Sequence, residues 1–291
     1  MSWCEGGRDD RREMDPGDSD MTTRVSIVNF SSALADDEVM EAVRVVNRQV
    51  MEDVRPRWQL SAQLFFSSAS GGAPAPDLLV DDAAIFVCDT PEGQNIGFHQ
   101  ANALDIPYGF VFTELAHQLG QPWTITLSHE VIEMIVDPQV NQLVVGPHPT
   151  EPTRSVPFLK EVCDPVQADS YVIDGTAVAN FVTPAYYAVG SSPRSTNQCA
   201  RDLAPFGVLH GGYVQYLDDQ IGALRTFGPA AMRAWNHKEK YLGNLRRQRR
   251  HLAVSNISAT HERTPREQRA RPDRLSGGSP RRRGAKRARP K

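Results

Sequence analysis

Apolar and polar positions along the chain change period several times, and each change marks an element. Arg24 to Phe30 alternates Val25, Ile27 and Asn29 against Ser26, Val28 and Phe30, an imperfect alternation that reads as a strand. Asp36-Asp37-Glu38 then sets carboxylates where a helix macrodipole favours them. Val39, Val43, Val46, Val50 and Val54 follow at spacings of three and four, an apolar stripe on a helix that Pro56 is expected to close. Leu60 to Phe66 reads as a second strand and Ser67 to Pro76 as a loop. Ala83 to Cys88 is an apolar run suited to a buried strand, and Pro107 to Phe112 is a fourth strand, with Tyr108-Gly109 marking an edge-strand candidate.

Trp123 to Val136 is apolar on most sides of a helical cylinder, so a buried helix is predicted, with Thr124 as N-cap and Asp137-Pro138 as its end. Beyond it the pattern shortens. Tyr171 to Thr176 carries Asp174-Gly175 and predicts a hairpin turn, and Gly211-Gly212-Tyr213 marks a tight backbone. Leu217 to Leu224 fits a strand or a short helix, and Ala230 to Gly243 a last helix. The expected organisation is a disordered extension over 1–23, an α/β (α+β) domain over 24–244 with an irregular C-terminal half, and a basic tail over 245–291.

Charge sharpens that division. The net charge of −3 sums a tail with 16 basic and 3 acidic residues, +13, and a body at −16. An acidic body argues against broad nucleic-acid binding by the folded part. The tail, with Arg281-Arg282-Arg283, is expected to be solvated, with weak nucleic-acid contact as its alternative role. Cys4, Cys88, Cys163 and Cys199 form no CxxC pair, which excludes a thiolate zinc knuckle and a disulfide framework. No membrane span or secretory leader is read in the chain, so a cytoplasmic setting is the default expectation.

The candidate chemistry lies in the apolar helix. His129 and Glu133 are four residues apart, so they project from one face about 5–6 Å apart at Cβ, a spacing suited to two ligands of one divalent cation. Glu130, about 100° around the helix, could reach a water activated by that cation and take its proton. Trp123 to Val136 contains no Lys or Arg to pair with these carboxylates, and a bound cation would offset the cost of burying them. An ordinary polar stripe is the competing interpretation.

Strands, a backing helix and then Ser128-His129-Glu130-x-x-Glu133 resemble the zincin metalloproteases, whose active helix carries H-E-x-x-H beneath a twisted sheet. The resemblance covers about Arg24 to Pro138 in outline and is specific only at the helix. It implies a zinc ligand at His129, a general base at Glu130, and a peptide or protein substrate. Glu133 departs from the pattern, standing where that family has its second His, and a carboxylate there makes the metal less Lewis-acidic. In one branch of that family an acidic residue downstream supplies the third ligand. Asp164 is the first candidate, because Asp-Pro holds an extended or turn backbone, with Glu161 close behind. Asp137, two turns beyond His129, is the in-helix competitor. The expected cofactor is a divalent metal, zinc first among candidates.

Remaining polar residues are weaker candidates. Tyr213 and His210 could contact an oxyanion or substrate. His99, His117 and His148 are expected to be surface or structural, and Cys163 an ordinary buried side chain. No Walker loop, dinucleotide-binding glycine pattern or serine-hydrolase elbow is present in the chain. The expectation is a metal-dependent hydrolase, and the alternative a non-catalytic binding protein on the same scaffold with a structural metal or none.

Overall fold

A computed structural model describes residues 23–69, 82–90 and 96–228. The extension expected over 1–23 falls outside the described residues except for Thr23, as do most of the 67–76 loop, the helix expected at 230–243 and the basic tail.

A mixed α/β layer comes first. Strands β1 (Thr23–Asn29), β2 (Ala62–Ser68), β3 (Ala83–Cys88), β4 (Gly97–Ala101) and β5 (Pro107–Phe112) form one sheet in the order β2-β1-β3-β5-β4. The pairs β1–β2, β1–β3 and β3–β5 are parallel, while β4 runs antiparallel to β5. β1 is buried from Val25 to Asn29 on both faces, which explains why its alternation is imperfect in sequence. The Tyr108-Gly109 strand, expected at an edge, is interior; the outer strand is the short β4. β2 begins two residues later than its apolar run suggests.

Helix α1 (Asp36–Gln49) lays Val39, Val43 and Val46 on this sheet, against Val25, Ile27, Leu64 and Ile85. Its acidic first turn is as expected, with Asp36 accepting hydrogen bonds from Asn29 (2.8 Å) and Ser68 (2.6 Å). Pro56 does not close the helix. The chain widens into a π-turn over Val50–Val54 and continues as α2 (Arg55–Trp58), ending at the left-handed Gln59 (φ 54°). The wider turn makes room for a proline ring that would otherwise meet the carbonyl one turn back.

After α3 (Thr113–Gln118) comes α4 (Trp123–Val136), buried from Ile125 through Val136. Two cores explain why it is apolar nearly all round. Leu127, Val131, Met134 and Ile135 pack into the sheet core, whereas Ile132 and Val136 enter a second core with Val156, Phe158, Phe181, Tyr186 and Phe206. Pro122, not Thr124, precedes the first turn; the Thr124 hydroxyl instead donates to the Ala177 carbonyl (2.7 Å). Asp137 ends the helix at φ −138°, as the following proline requires.

The C-terminal half is built from short pieces. β6 (Leu143–Pro147), β7 (Ser155–Leu159), β10 (Val214–Asp218) and β11 (Ala223–Phe227) form an antiparallel sheet in the order β11-β10-β7-β6. β8 (Ser170–Ile173) and β9 (Thr176–Ala179) form the expected hairpin, with Asp174 (φ 48°) and Gly175 (φ 85°) both left-handed, as a tight two-residue turn requires. The Leu217–Leu224 segment is neither one strand nor a helix, because it spans the turn of the β10–β11 hairpin. Among the described residues no helix is long and apolar enough to cross a membrane.

Candidate metal centre

The rotation of α4 about its axis is set by a buried polar knot. The Ser128 hydroxyl donates to Gln49 Oε1 (2.8 Å) and accepts the Ala179 amide (2.9 Å). Gln49 in turn donates to the Ala179 carbonyl (2.9 Å) and the Tyr171 hydroxyl (3.0 Å). α1, α4 and the β8–β9 hairpin are thus tied at one point. With Ser128 facing that knot, the next two residues turn toward β4 and the C-terminal half.

There the side chains expected to act together meet. His129 Nε2 lies 3.1 Å from Glu133 Oε2 and 3.2 Å from Asp164 Oδ1. One ligand atom from each of the three lies within 4.8 Å of the others, so the group could hold a metal ion. Asp164 opens a single 3-10 turn (Asp164–Val166), and its backbone is pinned from two sides. The Tyr213 amide donates to the Asp164 carbonyl (3.0 Å) and the Leu209 amide to the Pro165 carbonyl (2.9 Å). A Cβ at Gly212 would stand 2.1 Å from the Pro165 oxygen, so only glycine lets this loop close on the turn. Glu133 Oε1 accepts the Cys163 amide (3.2 Å), joining the helix to the same turn.

The surroundings are strongly negative and almost dry. His129 is 5% exposed, and Glu130, Glu133, Glu161 and Asp164 are at most 3% exposed. The Tyr213 phenol is held well above its ordinary ionisation range by burial and then by the nearby Asp164 and Glu133 carboxylates. Tyr187 is raised likewise, first by burial, then by Tyr186 and by Glu161, Glu133 and Asp164. Both phenols therefore stay protonated beside the cluster. A recess of about 10 Å³, roughly the space one water needs, is lined by Ile96, Gln121, Thr126, His129, Glu130 and Gln167.

Other expectations fare differently. Asp137 commits both carboxylate oxygens to backbone amides, those of Asn141 (3.1 Å) and Gln142 (3.0 Å), so it caps a loop and does not face the cluster. Glu161 is buried close enough to act on Tyr213 and Tyr187, but it belongs to neither of the two groups that could hold an ion. Cys163 is a buried side chain whose thiol donates to the His129 carbonyl (3.8 Å). Tyr213 reaches the cluster, whereas His210 is exposed and outside it. His117 is exposed and His148 accepts backbone amides of its own loop.

His99, expected at the surface or in a structural role, lies inside the site. It sits on β4 at 2% exposure, with Nδ1 3.2 Å from Glu130 Oε2 and 3.9 Å from Glu133 Oε2. β4 has little apolar periodicity and so gives no strand signal of its own. The usable hint is Gly97: a Cβ there would meet Thr126 Cγ2 at 2.5 Å and Glu130 Oε1 at 3.0 Å, so glycine lets β4 press against α4. Comparison of the chain with protein-family models, with curated proteins and with solved structures finds no match.

Proposed function

We propose that the chain is a zincin-like, metal-dependent hydrolase acting on a peptide or amide bond. The convergence of His129 and Glu133 with Asp164, which lies 31 residues beyond Glu133 in the chain, carries this reading. One imidazole nitrogen and two carboxylate oxygens are a donor set that suits zinc and comparable divalent cations. A cation bound there would supply Lewis acidity, lowering the pKa of a water toward neutrality.

The chain's own residues do the rest. Glu130 lies beside the three donors and lines the water-sized recess, so its carboxylate is placed to accept the proton as water attacks a carbonyl. His99, against Glu130 Oε2, fixes where that carboxylate points. The Cys163 amide on Glu133 and the Tyr213 amide on the Asp164 carbonyl keep the two carboxylate donors in place. Among the described residues β4 is the outer strand beside the site, and an outer strand offers backbone groups to an extended peptide. A mixed sheet packed on α4 and an acidic residue downstream of it support this reading, although the outer strand is β4 and not the Tyr108-Gly109 strand.

The deciding experiment is Glu130→Gln with metal content and peptide hydrolysis measured together. Turnover is expected to fall about 10²- to 10⁴-fold with bound metal retained. Hydrolysis at the original rate would remove Glu130 from the mechanism. The deep burial of the cluster favours one second reading, a binding protein with a structural metal. Stoichiometric metal without cleavage across a broad peptide screen would select it.

A further inference from the structure

The donors form two groups, not one. His129, Glu133 and Asp164 make the first; His99, Glu130 and Glu133 make the second, and Glu133 alone belongs to both. The second has its own logic, which begins at the far side of the His99 ring. His99 Nε2 lies 3.1 Å from the Asp137 carbonyl oxygen. A carbonyl only accepts, so Nε2 donates there, and Nδ1 is the ring nitrogen turned toward the carboxylates. Nδ1 lies 3.2 Å from Glu130 Oε2 and 3.9 Å from Glu133 Oε2, and ionised carboxylate oxygens only accept. One imidazole nitrogen and two carboxylate oxygens converge here, a donor set that a proton or a divalent cation can bridge.

An imidazole with one nitrogen on a backbone carbonyl and the other turned toward carboxylates is oriented as metal-ligating histidines are. The spacing is suitable as well. A cation bonded at about 2.0–2.2 Å sets its ligand atoms about 3–4 Å apart, which the distances around His99 Nδ1 match. Burial points the same way: His99 is 2%, Glu130 1% and Glu133 0% exposed, and α4 carries no basic residue.

We propose that the chain holds a second divalent cation, bound by His99 Nδ1, Glu130 and Glu133 and joined to the first through Glu133. It rests on the metal reading above but stands or falls separately. Glu130 Oε2, at 3.2 Å from His99 Nδ1, is the oxygen offered to the new position, and Oε1 is the one assigned to the proton.

The test is metal stoichiometry on the full chain, loaded with zinc after chelation and measured by elemental mass spectrometry. A parallel manganese-loaded sample is read by electron paramagnetic resonance. Two ions per chain are expected in the original protein, with a spin-coupled manganese pair. His99→Ala should bind one ion and lose the coupling. His99→Gln, which can still donate to the Asp137 carbonyl, should do the same while keeping the fold, checked by circular dichroism. One ion per chain, lost in His129→Ala and kept in both His99 variants, overturns the second position and leaves the first standing; a proton then occupies the His99–Glu130 contact. No bound ion in the original protein overturns both.

Discussion

Residues 23–136 and 137–228 bring their clustered acidic and imidazole side chains to one place by different physical means. In the first region, position follows from period. Valines of α1 and alternate residues of β1, β2 and β3 form a continuous apolar layer, and α4 lies on it at a rotation fixed by the Ser128–Gln49–Ala179 knot. In the second, strands are short and buried polar side chains hold the backbone. Asn197 accepts the Arg201 amide (2.9 Å) and donates to the Arg201 carbonyl (2.9 Å). Asn180 accepts the Cys199 amide (3.1 Å) and donates to Asp169 (2.9 Å). The Thr196 hydroxyl accounts for the Leu203 carbonyl (2.9 Å). A side chain on a regular helix is placed by packing; one on a turn, such as Asp164, needs such local bonds around it.

That contrast can be broken in order of effect. Asp164→Ala removes the donor supplied by the irregular half. Zinc affinity should drop by more than about 100-fold, beyond the usual cost of losing an outer-shell partner, and turnover with it. Unchanged affinity in a zinc titration would mean the two halves do not share a metal. Leu127→Ala strikes the regular half, where a fully buried leucine touches the sheet core. Denaturant unfolding should show a loss of about 2–5 kcal/mol. Asn197→Ala is expected to cost roughly 1–2 kcal/mol, because the Arg201 amide and carbonyl lose a partly buried partner. If the asparagine proves costlier than the leucine, polar bonding rather than packing dominates the whole molecule.

The smallest effect is a pH dependence on the regular side. Asp89, at the end of β3, is raised by burial but pulled down further by hydrogen bonds from Ser31, Ser32 and Thr113, to about 2. Its folded value lies below the unfolded value of about 3.9, so the unfolded chain binds more protons between them. The contribution is complete above that unfolded value and fades as pH falls toward 2. Screening at this partly exposed position limits it to about 1 kcal/mol. Comparing Asp89→Asn with the original chain at pH 2.5 and pH 7 checks it: the difference should be larger at pH 7.

Much of the site was readable because helical period is local. His129 and Glu133 share a face whatever the rest of the chain does, and an apolar helix carrying two glutamates without a basic neighbour announces a buried charge. Asp164 was reachable by its proline, which restricts the turn. Several elements were misread where a neighbour decides the outcome. Pro56 stops a helix in isolation but is absorbed by a π-turn here. Tyr108-Gly109 looks like an edge until β4 pairs outside it.

The amino-acid order by itself determined the α4 helix, its burial on most sides and the i to i+4 imidazole–carboxylate pair, because those depend on the pattern within a few turns. Only the tertiary structure decided that His99 joins them, that Asp137 turns away to cap a loop, and that Asp164 rather than Glu161 completes the first group. Those outcomes depend on which strand lies outermost and how closely backbones pass at Gly97 and Gly212. Such long-range approaches leave no period in the sequence.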